Sequence, residues 1–152
     1  MLTLRLGGHR VEVLDGDVVR ETLCQGLGFS REDRDTNIER IGWVASRLAR
    51  HGATVLVSAI SPYADTRARA RAMVEEFAPF VEIHVATSVD ECARRDVKGL
   101  YEKALSGELK EFTGVSDPYE EPESPELRIE TEGRSPEESA REVLDYVGGV
   151  RA

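Results

Sequence analysis

Long hydrophobic runs are missing from this sequence. An apolar stretch such as residues 55–57 falls far short of the roughly 20 residues that a helix needs to cross a bilayer. The first six residues also lack the basic start and the long apolar segment of a secretion signal. We therefore expect no membrane partner and a cytoplasmic location.

Cysteine is scarce as well. Cys24 and Cys92 are the two cysteines of the chain, they lie far apart, and neither belongs to a spacing typical of metal ligands. The three histidines likewise have no partner at helical spacing that would complete a metal site. We therefore expect reduced thiols and no metal site built from these side chains.

Positive charge is in deficit. The chain carries 20 Lys and Arg against 29 Asp and Glu, which gives a formal net charge of −9. The resulting field repels phosphate backbones and anionic headgroups, so general binding to nucleic acid or to a membrane surface is disfavoured. A small anionic substrate remains compatible, because local basic residues can outweigh the overall field.

The sequence does contain a regular alternation of short apolar segments and longer helical ones. The 152 residues suit one domain with one core, and the alternation predicts an α/β fold with a parallel sheet and flanking helices. The predicted strands cover residues 10–14, 54–60, 81–86 and 127–131. The predicted helices cover residues 18–24, 31–50 and 62–77, and a last one opens at Ser135. Residues 89–106 are predicted to be mostly helical. Ser30 with Asp33, and Ser135 with Glu138, match the pattern of a helix-capping box.

Ligands of parallel sheets bind beyond the carboxyl ends of the strands, which points to the turns at Asp15–Asp17 and at Ser61. An aspartate at such a turn can orient or deprotonate a hydroxyl, with Arg20 beside it for a phosphate. The same residues also suit a capped turn with a local ion pair. The residues alone leave both interpretations open.

Arg34 extends the apolar stripe of the second predicted helix back to its first turn. A cation there opposes the helix dipole unless an anion is present, which indicates a phosphate or sulfate held near Arg34 and Asn37. A salt bridge to a nearby aspartate is the alternative. Residues 94–114 pose a similar choice, because their basic and aromatic residues fit either a mobile lid over a nucleotide or a solvated helix and loop.

Six blocks, read in order, make the chain resemble the adenylylsulfate kinase family over about residues 8–147. The blocks are Leu14 to Arg20, Leu27 to Ser30 with Asp33, Arg34 and Asn37, Ile60 to Pro62, Arg95 to Tyr101, Phe112 to Gly114, and Tyr119 to Glu123. The resemblance implies a P-loop kinase fold. It implies transfer of the γ-phosphate of ATP, with Mg²⁺, to the 3'-hydroxyl of adenosine 5'-phosphosulfate (APS), and an expected homodimer.

The resemblance also implies roles for individual residues. Asp17, Ser61 and Lys98 would take part in catalysis, with Asp17 near the 3'-hydroxyl. Arg20, Arg34 and Asn37 would hold the phosphosulfate. The remaining contacts, also carried over from the family, would be adenine stacking by Phe29 and Phe112, pocket walls from Asp15, Ile60 and Thr113, and lid contacts to ATP from Arg94 and Arg95.

One family motif does not occur in these 152 residues. The phosphate-binding sequence G-x-x-x-x-G-K-[ST] is absent, because Gly7-Gly8 is followed by His9-Arg10. We therefore expect the fold without its N-terminal strand, P-loop and most of the first helix. We also expect a gap or a rearrangement between the strands ending near Asp15 and Ser61, where that strand would lie. The alternative function is a non-catalytic form that binds only the sulfated nucleotide.

Overall fold

The computed structural model describes residues 10–150, which form two compact units divided between Phe80 and Val81. None of the helices in this part of the chain is long and apolar enough to cross a membrane. The first unit contains β1 (Val11–Asp15), α1 (Gly16–Glu21), α2 (Arg31–Arg50), β2 (Thr54–Ser58) and α3 (Ala64–Glu75). The second contains β3 (Ile83–Val85), α4 (Val89–Arg95), α5 (Leu100–Leu105), β4 (Leu127–Ile129) and α6 (Pro136–Val150).

In the first unit β1 and β2 pair directly and in parallel, with Val11 opposite Thr54 and Asp15 opposite Ser58. The parallel orientation expected from the sequence is confirmed. Of the gap or rearrangement expected between these strands, the gap is not seen, because their own backbone groups satisfy each other along the whole ladder. The two strands end at the same level, so the turns that follow them begin side by side.

Helix α2 has the bounds that its sequence predicts. Ser30 accepts a hydrogen bond from the Asp33 N–H at 3.2 Å, and Gly52 follows the helix at a φ of +80°. Its inner stripe places Ile38 and Ile41 in the core of this unit. The core is completed by Val19, Cys24 and Ala70.

The packing of α2 against α3 depends on a glycine. A Cβ built at Gly42 would lie 3.0 Å from the Cβ of Ala70, which is closer than ordinary van der Waals contact. Because Gly42 has no side chain, the two helices can approach closely, and this contact fixes the position of α2. The start of α2, which carries Arg34 and Asn37, is thereby fixed as well.

In the second unit β3 and β4 are parallel, with His84 opposite Arg128. The mostly helical segment expected over residues 89–106 is confirmed, and it consists of two helices. Asp96 and Gly99 adopt φ values of +23° and +65°, so the chain leaves α4 and starts α5 anew. The Asp96 carboxylate accepts hydrogen bonds from the Tyr101 and Glu102 N–H groups, each at 3.0 Å, which lowers its pKa and caps the new helix.

The cap of α6 is confirmed. The Ser135 N–H donates to the Glu138 carboxylate at 2.7 Å, and the Glu138 N–H donates to the Ser135 hydroxyl at 3.2 Å. Both bonds of the capping box are present, and the bond from the Ser135 N–H is the main reason that the pKa of Glu138 is lowered.

Candidate active site

The turn after β1 lies against the end of β2. The Asp15 carboxylate accepts hydrogen bonds from the Asp17 N–H at 3.0 Å and the Val18 N–H at 3.5 Å, so Asp15 caps α1. A Cβ at Gly16 would lie 3.0 Å from the Ser58 carbonyl oxygen, which leaves no room for a side chain there. Asp17 is exposed in the first turn of α1. The capped-turn interpretation of Asp15 is therefore confirmed. Asp17 lies exposed near the C-terminal end of β2.

The segment after β2 has an unusual backbone. Ser61 has a φ of +45°, a left-handed conformation that is costly for a residue with a Cβ. Its carbonyl accepts a hydrogen bond from Arg67 Nη1 at 2.9 Å, so α3 holds the turn in place. Ile60 is 64% exposed just before it. Sequence reasoning missed Arg67, because one arginine in the repetitive run of residues 64–71 carries no distinguishing signal.

Two arginines converge on the ring of Phe29, and we call Arg20, Phe29 and Arg34 the arginine–phenylalanine cluster. The guanidinium carbons of Arg20 and Arg34 lie 4.6 and 5.6 Å from the ring centroid. Arg20 Nη1 donates to the Gly28 carbonyl, and Arg34 Nε donates to the Phe29 carbonyl, both at 2.8 Å. Arg34 is 6% exposed and Phe29 is 52% exposed. The cluster therefore presents two cations around an accessible aromatic face.

The two aspartates beside Arg34 in sequence have other partners. Asp33 accepts a hydrogen bond from the Gly28 N–H at 2.9 Å. Asp35 accepts one from the Thr66 hydroxyl and lies 3.9 Å from the guanidinium of Arg69. Each of these two carboxylates therefore has a partner other than the guanidinium of Arg34.

Asn37 lies one turn after Arg34 and is 5% exposed. Within the described part of the chain, its buried side-chain oxygen has no hydrogen-bond partner. An unsatisfied buried acceptor costs about 1–3 kcal/mol. A hydrogen-bond donor from a ligand or a bound water would relieve that cost, so Asn37 is a candidate ligand-binding residue.

In the second unit the aromatic and hydroxyl candidates sit in one tight turn. Phe112 packs edge-on against Tyr101, with ring centroids 4.9 Å apart. The Phe112 N–H donates to the Ser116 hydroxyl at 2.8 Å, and Thr113 forms an isolated bridge with Asp117. Lys98 is exposed in the break between α4 and α5. Phe112 and Thr113 are thus held in place by their own turn.

Arg94 and Arg95 share one carboxylate. Glu91 accepts hydrogen bonds from Arg94 at 2.6 and 2.7 Å and from Arg95 at 2.7 Å, which lowers its pKa to about 2. Arg95 also donates to the Thr131 carbonyl at 3.0 Å. An open cavity of about 720 Å³ is lined by these residues together with Arg134. Three guanidinium groups therefore surround one concave surface.

Tyr101 provides a pH test of this unit. Burial, followed by a hydrogen bond with Cys92, raises the pKa of Tyr101 to about 12. The unfolded chain loses the phenolic proton near pH ~10, so the stability that depends on the neutral phenol should be lost as pH rises from that value to about 12. We expect phenolate absorbance to show a titration step near 12 that disappears in Tyr101→Phe. If the variant keeps the step, the assignment to Tyr101 is wrong.

Comparisons with known proteins agree over most of the chain. The family model described as adenylylsulphate kinase matches residues 2–130. An adenylyl-sulfate kinase of Deinococcus deserti is 52% identical over 141 residues, covering 93% of this chain and 76% of the relative. One of Rippkaea orientalis is 54% identical over 140 residues, covering 92% and 76%. The solved structure of the Mycobacterium tuberculosis APS kinase CysC with AMPPNP and APS is 45% identical, with a TM-score of 0.88, covering 93% of this chain and 82% of that one.

Proposed function

This chain belongs to the adenylylsulfate kinase family, and we propose that its arginine–phenylalanine cluster holds the substrate of that family's reaction. The function is ATP-dependent phosphorylation of the 3'-hydroxyl of APS, and the fold is that of the P-loop kinases. The observation that carries the assignment of the cluster is the pairing of two cations with one accessible ring. A nucleotide with two linked anionic groups and a flat base needs both kinds of contact.

The phosphosulfate is the natural partner of Arg20 and Arg34. Charge-assisted hydrogen bonds from guanidinium groups suit the oxygens of phosphate and sulfate. Phe29 offers a face of the size that an adenine ring covers, and Arg34 loses little freedom on binding because it is already buried. We propose Asn37 as a further contact, since a ligand donor would satisfy its buried oxygen.

The turns at the ends of β1 and β2 are proposed to act on the reacting hydroxyl. Asp17 would orient the 3'-hydroxyl and accept its proton as the oxygen bonds to the γ-phosphorus of ATP. The bond from that phosphorus to the oxygen of the β-phosphate breaks in the same step, and ADP leaves. Ser61 would donate a hydrogen bond to the bound nucleotide from its strained turn. Asp15 would act through the turn that it caps, and Ile60 would supply an apolar wall.

Residues of the second unit are proposed to bind nucleotide as well. Phe112 would stack on the adenine of APS and Thr113 would bond the same nucleotide. Arg94 and Arg95 would meet ATP at their cavity, whose three guanidinium groups favour phosphates. Lys98 would neutralise charge on the transferred group, and Mg²⁺ bound with ATP would supply further positive charge during the transfer. We further propose that residues 1–152 act as one domain, that residues 94–114 act as its lid, and that the protein is a cytoplasmic homodimer.

Equilibrium binding tests the assignment without requiring turnover. We expect the 152-residue chain to bind APS in calorimetric titrations and to bind adenosine, which lacks the phosphosulfate, at least about tenfold more weakly. That difference corresponds to about 1.4 kcal/mol, the scale of one charge-assisted hydrogen bond. Equal affinity for the two compounds, or no binding of APS, would remove the support for an anion site at the cluster.

A further inference from the structure

We infer that Asp33 is a positioning residue for the substrate, because it fixes the loop that presents Phe29. This inference rests on the proposed role of the arginine–phenylalanine cluster. Asp33 touches no atom of the cluster's three side chains in the hydrogen bonds described above. Its effect is carried by the backbone of Gly28, the residue just before Phe29.

The side chain of Asp33 leaves its own helix. In the capping box expected from the sequence, Asp33 would accept a hydrogen bond from the Ser30 N–H. The structure instead shows its Oδ2 accepting from the Gly28 N–H at 2.9 Å, so the expectation is wrong for this half of the box. The N-cap itself is still supplied by Ser30, whose hydroxyl bonds the Asp33 N–H. The carboxylate of Asp33 is therefore used to hold the loop.

Gly28 and Asp33 depend on each other. A Cβ built at Gly28 would lie 2.9 Å from Asp33 Oδ2, a distance that real Cβ atoms essentially never show. Any side chain at position 28 must therefore displace the carboxylate or the loop. A Cβ at position 28 would therefore crowd the oxygen atom that accepts this hydrogen bond.

The hydrogen bond from the Gly28 N–H to Asp33 positions the two carbonyl oxygens that accept hydrogen bonds from Arg20 and Arg34. The Gly28 peptide is held at its N–H by Asp33, and its carbonyl accepts from Arg20 at 2.8 Å. The next carbonyl, that of Phe29, accepts from Arg34 at 2.8 Å. Because the Phe29 ring is 52% exposed, packing alone does little to hold it. Removing the Asp33 carboxylate should let the loop move. The Phe29 ring and the two guanidinium groups would then no longer be held in fixed positions relative to each other.

The test compares variants of two aspartates on the same helical turn. We expect Asp33→Ala to weaken APS binding roughly tenfold or more, because small displacements of binding groups are costly. Asp33→Asn keeps an acceptor oxygen and should recover most of the affinity. Asp35→Ala is the matched control: it removes bonds to Thr66 and Arg69, so it should lower the melting temperature but leave APS affinity within about twofold.

Gly28→Ala gives an independent check, because it disturbs the same hydrogen bond at its donor residue instead of its acceptor residue. We expect it to weaken APS binding like Asp33→Ala, and the double variant to bind about as well as either single variant. An Asp33→Ala chain that binds APS like the parent overturns the inference. Equal losses of affinity in Asp33→Ala and Asp35→Ala also overturn it, since they would indicate general damage to α2. Failure of the parent chain to bind APS would instead refute the proposed function, and the inference with it.

Discussion

A polypeptide of these 152 residues, given ATP, Mg²⁺ and APS, is expected to form product at least about 10³-fold more slowly than the roughly 1–100 per second typical of kinases. Phosphoryl transfer depends on positioning and on neutralising charge around the γ-phosphate. Loss of a single preorganised donor can cost about 10²–10³ in rate. The missing G-x-x-x-x-G-K-[ST] motif would supply several backbone donors, a lysine and a hydroxyl ligand for Mg²⁺.

A coupled assay of nucleoside diphosphate release measures this effect. The comparison is with the same chain carrying, ahead of Met1, an added strand, a G-x-x-x-x-G-K-[ST] loop and a helix, as the family resemblance implies. We expect the extended protein to turn over at ordinary kinase rates, and a matched version with the motif lysine changed to alanine to fall back. Ordinary turnover by the 152 residues alone would show that the motif is dispensable or is replaced by other residues.

The second large effect is expected at the arginine–phenylalanine cluster. Arg34→Ala should weaken binding of APS by about 1.5–3 kcal/mol, or roughly 10–150-fold, because a charged hydrogen bond is lost within a buried site. Adenosine should be affected less, since it lacks the anionic groups. Calorimetric titration of both compounds separates these effects.

Arg31→Ala is the matched control for that experiment. Arg31 opens the same helix but stacks on Tyr63 and lies 3.7 Å from the Asp65 carboxylate, with about half of its side chain exposed. We expect its loss to leave APS affinity nearly unchanged. If both alanine variants weaken APS equally, the effect belongs to the overall charge of the helix, and the specific role of Arg34 is refuted.

Local signals in the sequence were sufficient for the elements that carry the site. The hydroxyl of Ser30 and the left-handed Gly52 bound α2 as predicted, because caps and stops act through neighbouring residues. The parallel pairing of β1 and β2 follows from the helical connection, α1 and α2, that joins them. The resemblance to the family indicated the candidate site residues.

Other features depend on contacts between residues far apart in the chain or on irregular loops. Sequence reasoning expected a gap or a rearrangement between β1 and β2 and did not predict their direct pairing, because the order of strands in a sheet is not encoded in their local pattern. It did not locate the break between α4 and α5 at Asp96, because a charged residue there does not reveal a positive φ. It also assigned the Asp33 carboxylate to its own helix, since the alternative partner, Gly28, lies in a loop without periodicity. The Arg67 bond to Ser61 likewise exists only after α3 folds back.

The carboxylate that joins Arg94 and Arg95 acts as a built-in counter-ion. With its pKa near 2, Glu91 stays ionised at any pH that a cell reaches, so acid does not uncouple it from the two arginines. An incoming anion must therefore compete with a partner that the chain already supplies. Singly charged anions gain little by such an exchange, whereas a polyphosphate can engage several guanidinium groups at once. A polyphosphate is therefore the kind of anion that we expect to compete successfully with Glu91 for the two arginines.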